Sequence, residues 1–317
     1  MSPLSRDALL LRCCYMFYQE DMSIQEIGKH LGISRFRVSR YLKEAREKGI
    51  LQIQIRDPNI EYERLALQLE RTFPLRRAVV VPKPYDADPD TIRLAIGQAA
   101  VNLFYSLEPE TSIGITWGRT IAHMVRELPP SGLQARRVVE LVGGFGQITS
   151  TVSARAVALW ISEKLGAECV QLPAPIICDS DETARSLLSE SSIRQTLLLG
   201  AQCTMAVAGL APMAPSSLLY QAGYLSKNDL EDLVAGNVVG SILGRFFDSD
   251  GQECDTPFRH RAISLSFEDF RRIPERIVLA GGREKVPGIL GLIRGGLLTT
   301  LMTDSDTAQG ILEANQQ

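Results

Sequence analysis

Residues 114–120 read GITWGRT and lie between a predicted strand and a predicted helix. The strand is rich in β-branched residues, and small and hydroxylated residues follow it at the start of the helix. Backbone N–H groups at the start of a helix point at a bound anion and carry the positive end of the helix dipole. Hydroxyl side chains beside them can add further hydrogen bonds to the same anion. We therefore expect this loop to hold a phosphate. The candidate phosphate-binding residues are Thr116, Trp117, Gly118, Arg119 and Thr120.

Two further turns are rich in glycine and lie between strand and helix patterns. The first is LVGGFGQITS, residues 141–150, in which Gly143 is a candidate contact to a bound small molecule. The second is LAGGREK, residues 279–285. Lys285 stands near the start of the next helix and can pair with a phosphate or a sugar oxygen. The same glycines could simply make the tight turns that α/β proteins require. Neither GxGxxG nor GxxxxGK[ST] occurs, so no standard nucleotide fingerprint is present.

A second group of residues suited to recognition lies in the arginine-rich segment 34–46, SRFRVSRYLKEAR. Arginine can donate two hydrogen bonds to guanine, serine can bond several base edges, and phenylalanine can touch a thymine methyl group. Lys43 and Arg46 lie further along the segment, where we expect them to meet phosphate. A solvated amphipathic helix pair is the alternative. The candidate DNA-binding residues are Arg35, Phe36, Arg37, Ser39, Arg40 and Lys43.

The elements that must position these arginines can be read from capping signals. Ser23 followed by Glu26 is a capping box that begins a helix, Gly32 permits a left-handed turn, and Ser34 can cap a second helix. With a preceding helix at about residues 9–18, this spacing predicts a helix-turn-helix whose second helix enters the major groove of double-stranded DNA.

Two segments should connect this head to the rest of the chain. ILQIQI, residues 50–55, alternates apolar and polar residues and predicts a strand that acts as a wing or a support. Residues 61–73 predict a linking helix on which a second copy of the chain could pack. A dimer would present two reading helices about one DNA turn apart.

From residue 77 onward, short β-branched runs alternate with helical patterns, which predicts an open, mostly parallel α/β sheet covered by helices on both faces. Ligands bind such sheets beyond the carboxyl ends of the strands. We expect a DNA-binding domain at 1–57, a linker or dimerisation helix at 58–75, and an effector-binding α/β domain at 76–317. The predicted strands are residues 78–81, 112–116, 138–142, 169–172, 203–210, 263–266, 276–282 and 297–304. The predicted helices are residues 90–107, 119–127, 153–165 and 181–188.

Charge and composition fit a soluble globular protein whose N-terminal part meets a polyanion. The 317 residues carry a net charge of −3, yet residues 1–57 hold ten Lys and Arg against seven Asp and Glu. No apolar stretch reaches the roughly 18 to 20 residues of a membrane helix, and the N-terminus shows no cleavable leader, so we expect a cytoplasmic protein without membrane contact. The six cysteines lack metal-ligand spacing and are expected to be buried free thiols; no cofactor or metal is expected.

Seven ordered motifs together resemble the SorC family of bacterial sugar-responsive transcription regulators, over nearly the whole chain. They are the helix-turn-helix segment 22–51, which has Met22 where the family pattern has leucine, GITWGRT (114–120), LPAP (172–175), AGYLS (222–226), GRFFDSDG (244–251), AGGREK (280–285) and LMTDSDTA (301–308).

The resemblance implies an effector domain similar in fold to sugar-phosphate isomerases, which binds a phosphorylated sugar or related metabolite without converting it. It also implies tetramers assembled from dimers. Carried over by motif, it assigns the phosphate loop to residues 116–120, places Gly223 and Tyr224 in the pocket lining, and gives Lys285 a ligand contact.

Three positions depart from the family pattern. Ser241 stands where an acidic residue commonly bonds sugar hydroxyls, and a serine accepts fewer hydrogen bonds than a carboxylate. Thr204 stands where an aspartate is usual, and Leu210 where isoleucine is common. These departures predict either a different ligand or a degenerate pocket.

Three functional hypotheses follow. The first is a DNA-binding regulator controlled by a phosphorylated sugar-like effector. The second is a sugar-phosphate isomerase-type enzyme with a DNA-binding appendage, which would need a positioned acid or base, although His30, His123 and His260 show no triad-like arrangement with Ser and Asp. The third is a constitutive DNA-binding protein with a degenerate pocket.

Overall fold

The computed structural model describes residues 5–53, 57–84, 88–105, 107–129, 134–145 and 154–316. The chain divides into two compact units, Met1–Ile60 and Glu61–Gln317. The predicted class, a small helix-turn-helix unit and a larger parallel α/β unit, is confirmed.

The small unit is built from three helices, α1 (Arg6–Tyr18), α2 (Ile24–Leu31) and α3 (Arg35–Glu47). The capping box forms as predicted, since Ser23 N donates to Glu26 Oε2 at 2.8 Å and Glu26 N donates to Ser23 Oγ at 3.3 Å. Gly32 ends α2 with φ of 68°, and Ser34 Oγ accepts from Arg37 N to begin α3. Apolar side chains from all three helices then close one core.

The predicted strand at residues 50–55 is wrong in its described part. Residues 50–53 form no strand; residues 54 and 55 lie outside the described residues. Leu51 N donates instead to Ala45 O at 3.1 Å, and the Leu51 side chain packs on the helical core. Over residues 50–53 the alternation therefore corresponds to Leu51 packing on the helical core and not to a strand.

The large unit is organised around a seven-stranded, wholly parallel sheet. The strand order is β1-β9-β8-β5-β2-β3-β4. The strands are β1 (Arg77–Val81), β2 (Ser112–Ile115), β3 (Arg137–Glu140), β4 (Glu168–Val170), β5 (Met205–Gly209), β6 (Gly240–Ile242), β7 (Arg245–Phe247), β8 (Glu275–Leu279) and β9 (Thr300–Asp304), of which β6 and β7 form a separate hairpin.

The helices from residue 60 onward cover both faces of this sheet. They are α4 (Ile60–Thr72), α5 (Pro89–Ala100), α6 (Arg119–Glu127), α7 (Ala154–Leu165), α8 (Asp181–Ser189), α9 (Ser191–Ala201), α10 (Leu218–Gln221), α11 (Lys227–Ala235), α12 (Phe267–Arg272), α13 (Val286–Arg294) and α14 (Ser305–Ala314). Within β5, Ala206 and Ala208 pack in one buried cluster with α13 and α14, while Val207 packs in the other with α5, α6 and α7. This alternation is the period of a strand buried on both faces.

The predicted strand at residues 263–266 is also wrong. Ser264 makes only an isolated antiparallel bridge to Val142, and Gly143 N donates to Ile263 O at 2.9 Å, so this segment crosses the chain beyond β3 instead of joining the sheet. The β6–β7 hairpin was not predicted. Its two turn residues, Leu243 and Gly244, have φ of 58° and 71°, the left-handed pair of a tight hairpin turn.

The chain order of the strands creates a switch point between β2 and β5. From β2 the chain moves outward through β3 and β4, and from β5 it continues to the other side through β8 and β9. The loops after β2 and β5 therefore diverge and leave a crevice at the carboxyl edge of the sheet, which is where open α/β folds bind ligands.

Candidate functional site

A pocket of about 770 Å³ occupies this crevice. The loop after β2, the loop after β5, the β6–β7 hairpin and the short 3-10 helix Arg283–Lys285 form its walls. The structure brings together seven of the ten predicted effector-binding residues in its lining. They are Thr116, Trp117, Gly118, Arg119, Thr120, Ser241 and Lys285.

The phosphate-loop candidates are held by contacts with the neighbouring strand loops. Thr116 N donates to Val207 O at 3.1 Å, and Thr116 Oγ1 accepts from Gly209 N at 3.3 Å, so the loop after β2 is tied to β5. Arg119 donates to the carbonyl of Ser216, and burial lowers the pKa of its guanidinium. Gly118 is the N-cap of α6 and makes no side-chain cap hydrogen bond, so the first N–H groups of that helix lack a side-chain cap, and residues 118–121 line the pocket.

Lys285 is the most deeply buried cation in the pocket, with an exposed fraction of 8%. Within the described part of the chain, its amino group makes no hydrogen bond or ion pair. The pKa of Lys285 is lowered to about 8, chiefly by burial; the positive charges of Arg93 and Arg119 also lower it, while Glu284 and Asp304 oppose the shift. A buried, unpaired ammonium is unfavourable until an anion binds it.

The backbone that presents Lys285 is fixed by glycines and a buried carboxylate. Gly282 has φ of 105°, and its N–H donates to Asp304 Oδ2 at 3.0 Å and to Thr307 Oγ1 at 2.7 Å. A Cβ at Gly281 would lie 2.5 Å from Ile96 Cδ1, so the close approach requires glycine there. The turn is therefore both a tight turn and a rigid support for the lysine.

Arg93 is a pocket residue that the sequence analysis missed. It lies in α5, its side chain is 15% exposed, and it lines the same pocket as Lys285. Its guanidinium lies 3.3 Å from Asp90 Oδ1, an atom that is also 3.3 Å from His123 Nε2. The sequence contained a signal for Arg93. The helix that follows strand β1 begins at the carboxyl edge of the sheet, so a cation in its second turn can reach a ligand bound there.

Gly143, Gly223 and Tyr224 are not among the residues that line the pocket. Gly143 O accepts from Trp117 Nε1 at 3.0 Å, which fixes the indole. The Trp117 ring lies 4.0 Å from Phe145, and Phe145 lies 5.5 Å from Tyr224. Gly143 thus holds Trp117 by a hydrogen bond, and Tyr224 packs on Phe145, which in turn packs on Trp117. Residues 146–150 of the predicted glycine-rich turn lie outside the described residues.

The three departures from the family pattern do not fall together: Ser241 and Leu210 line the pocket, whereas Thr204 lies at the opposite edge of the sheet. Ser241 lines the pocket with 3% exposure, and its backbone pairs with Ala211. Thr204 precedes β5 and bonds Ser112 N at 3.2 Å, at the amino edge of the sheet. Because the pocket lies at the carboxyl edge, the expectation that Thr204 alters the pocket is wrong. Leu210, which follows β5, does line it.

The candidate DNA-binding residues lie on the exposed side of α3. Val38, Tyr41, Leu42 and Ala45 form its buried side. Phe36 is 74% exposed, an unusual position for a large aromatic ring in a helix that packs on a core. The six predicted residues are all exposed: Arg35, Phe36, Arg37, Ser39, Arg40 and Lys43.

All six cysteines are free, four of them buried, and burial raises the pKa of Cys203 to about 12. Among the described residues, no His, Cys, Asp or Glu cluster could hold a metal ion. None of the helices that the structure describes is both long and apolar enough to cross a membrane.

A helix-turn-helix joined to a parallel-sheet unit with a cationic pocket defines a DNA-binding regulator with a small-molecule domain. The family model described as "Putative sugar-binding domain" matches residues 57–313, and the model described as "Sigma-70, region 4" matches residues 2–48. The chain belongs to the SorC family of sugar-binding transcriptional regulators.

Individual relatives agree with this assignment. The chain is 31% identical over 314 residues to the transcriptional regulator LsrR of Escherichia coli O9:H4 (strain HS), covering 96% of this chain and 94% of that protein. It is 29% identical over 311 residues to the deoxyribonucleoside regulator of Bacillus subtilis (strain 168), covering 97% and 98%. The crystal structure of the full-length sorbitol operon regulator SorC from Klebsiella pneumoniae matches with a TM-score of 0.75 and 28% identity, covering 98% of this chain and all of that one.

Proposed function

We propose that this regulator binds operator DNA through α3, that a small phosphorylated sugar-like effector binds in the pocket, and that the effector changes operator affinity. The observation that carries the proposal is Lys285, a buried cation in the pocket whose amino group has no partner in the described part of the chain. An anionic ligand supplies the missing partner.

The charge of the pocket favours a phosphate ester over a neutral sugar. Among the described residues, Arg93, Arg119 and Lys285 line it together with one carboxylate, Glu284. Phosphate carries close to two negative charges at neutral pH and several strong acceptor oxygens. The uncapped start of α6 adds N–H donors on the same side. Serine, threonine and backbone groups in the lining can bond the hydroxyls of the sugar portion.

The regulatory step requires that the effector bind two states of the protein unequally, since a ligand with equal affinity for both states shifts neither. We propose a homo-oligomer, a dimer of dimers as the family resemblance implies, in which paired α3 helices read two half-sites of double-stranded DNA. The protein would act in the cytoplasm, where its operator lies.

We propose binding without turnover. Isomerisation of a sugar phosphate needs an acid or base placed at the reacting carbon. At the position where the family pattern carries a carboxylate, this chain has Ser241, which cannot serve as a base at neutral pH. Detection of product by NMR after incubation with pentose and hexose phosphates would support the enzyme alternative instead.

The first experiment is thermal unfolding of the purified full chain with phosphorylated sugars and their unphosphorylated counterparts. A ligand at 100 times its Kd stabilises the native state by about 2.7 kcal/mol. We expect a shift with a phosphorylated compound, no shift with its neutral counterpart, and loss of the shift in Lys285→Met. Lys227→Met is the matched control, because Lys227 is 79% exposed on α11.

The second experiment measures binding to a duplex that the full chain enriches from a random library. The ligand identified above should change its Kd, and Arg35→Ala should weaken binding by about 1 to 3 kcal/mol if Arg35 makes a bidentate base contact. An equal shift with neutral sugars, or a ligand that leaves the Kd for the duplex unchanged, would contradict the proposal.

A further inference from the structure

Tyr41 lies in α3, the helix that we propose reads DNA, and contacts both the buried core and an exposed arginine of that helix. Its side chain is only 3% exposed and packs in the core of the small unit. Its hydroxyl nevertheless accepts a hydrogen bond from Arg37 Nε at 3.0 Å, one helical turn earlier. The Arg37 guanidinium carbon lies 5.7 Å from the centre of the Tyr41 ring. A buried residue therefore holds an exposed one.

The atom that Tyr41 engages determines what the rest of Arg37 can do. A guanidinium carries five N–H groups in one plane, one on Nε and two on each Nη. With Nε–H satisfied by the tyrosine, the four Nη–H groups remain, and no described residue forms an ion pair with them. A pair of these donors matches the O6 and N7 acceptors of guanine.

The other two arginines among the candidate readers, Arg35 and Arg40, lack such a support. Arg35 lies 5.0 Å from the ring of Phe36, which is itself 74% exposed, and Arg40 lies 6.0 Å from the Tyr41 ring. Within the described part of the chain, neither guanidinium donates a hydrogen bond to another side chain. Arg37 is thus the candidate reader whose orientation is fixed before DNA arrives.

We infer that Tyr41 is a positioning residue for base recognition: its hydroxyl holds Arg37 by Nε so that the two Nη groups meet one guanine. This inference rests on the proposed DNA-reading role of α3. Fixing a long side chain in advance reduces the conformational entropy lost on binding, and it favours one base over the others at a single position. The competing explanation is that Arg37 merely covers the Tyr41 ring, in which case the hydroxyl affects no base preference.

The test uses the full chain, the duplex that it enriches from a random library, and a scrambled duplex of equal length. Tyr41→Phe removes only the hydroxyl. We expect about fivefold weaker binding of the enriched duplex, the order of one net hydrogen bond, with unchanged binding of the scrambled duplex. Tyr15→Phe is the matched control, since Tyr15 is 58% exposed on α1. A repeated selection with Tyr41→Phe should relax the preference at one guanine.

A double-mutant cycle with Arg37→Ala separates positioning from packing. The hydroxyl should matter only when Arg37 is present, so Tyr41→Phe should have no further effect in the Arg37→Ala background. Equal losses on both duplexes, additive effects in the cycle, or an unchanged base preference would overturn the inference. If the wild-type chain enriches no sequence at all, the DNA-reading role itself fails, which is a different and recognisable result.

Discussion

The two units present their functional residues in opposite ways. In the small unit, the candidates fall within residues 35–43 on one helix and are all exposed. In the large unit, the pocket residues come from five or more separate elements between Arg93 and Lys285, and several are buried. Two lysines show the contrast: the Lys43 side chain is 79% exposed, while Lys285 is 8% exposed.

This difference in exposure determines whether a charged side chain affects only ligand or DNA binding, or also the stability of the fold. An exposed cation keeps its water, so its removal changes affinity for DNA and little else. A mostly buried cation without a partner is poorly hydrated and destabilises the fold until the ligand binds. The two units should therefore respond differently to equivalent substitutions.

The largest expected effect is on the small unit. Ile27 is fully buried in its core. Ile27→Ala should destabilise the unit by about 3 to 4 kcal/mol, and a unit of this size has little stability to spare. Hydrogen exchange of the full chain should show rapid exchange over α1 to α3 and loss of DNA binding, while the ligand-induced thermal shift of the large unit persists.

Leu11→Ala is the control for this prediction, because Leu11 is 59% exposed on α1. It should leave exchange and DNA binding nearly unchanged. If Ile27→Ala also lost the ligand-induced thermal shift, the contrast between the units would be wrong, because a core substitution in the small unit would then affect ligand binding in the large unit.

The second effect concerns Lys285, whose pKa is lowered from 10.5 to about 8 by burial. Lys285→Met should weaken binding of the phosphorylated ligand by about 100-fold, because charged hydrogen bonds are lost. Without ligand, the same variant should be more stable than wild type by about 3 kcal/mol at pH 7, since a disfavoured charge is removed.

The pH dependence of this difference has a definite sign. Between about pH 8 and 10.5 the unfolded chain holds a proton at Lys285 that the folded chain releases, so wild-type stability rises relative to Lys285→Met across that window. Below pH 8 the gap should be constant. Denaturant unfolding of both proteins over this range measures it, and a gap that widens with pH would contradict the assignment.

The third effect concerns Gly143, whose carbonyl oxygen accepts a hydrogen bond from the pocket residue Trp117. A Cβ at Gly143 would lie 2.4 Å from Pro175 O. Gly143→Ala should destabilise the large unit by about 2 kcal/mol and weaken ligand binding, because Trp117 is hydrogen-bonded to the same residue. Gly209→Ala is the matched control for unfolding, since its Cβ would meet only atoms 3.9 Å away. Equal stability of the two variants in denaturant would refute this account.

The smallest effect sharpens the contrast within the small unit. Ser23→Ala removes the cap of α2 and should lower the stability of the unit by about 1 kcal/mol without changing the base preference. Ser39→Ala, on the exposed side of α3, should do the reverse by altering DNA binding while stability is kept. Thermal unfolding and duplex binding of both variants provide the check. If both lose stability equally, the separation between cap and reader is wrong.

Local signals predicted the small unit almost residue by residue. The capping box, the Gly32 turn and the Ser34 cap all act between residues three or four apart, so they were visible in the sequence. The strand predicted from the alternation is wrong over the described residues 50–53, because Leu51 packs on the helical core of the small unit and no neighbouring strand pairs with it there. The strand predicted at residues 263–266 is wrong as well, since its partners are Val142 and Gly143.

For the large unit, the sequence by itself determined the strand–helix alternation, the parallel sheet and the loop that opens α6. It did not reveal Arg93, the support role of Gly143, or the irrelevance of Thr204 to the pocket. Only the tertiary structure decided these, because the order of strands determines which loops meet at the carboxyl edge. Periodicity reports which face of an element is buried, but the partners of that face are chosen by the whole fold.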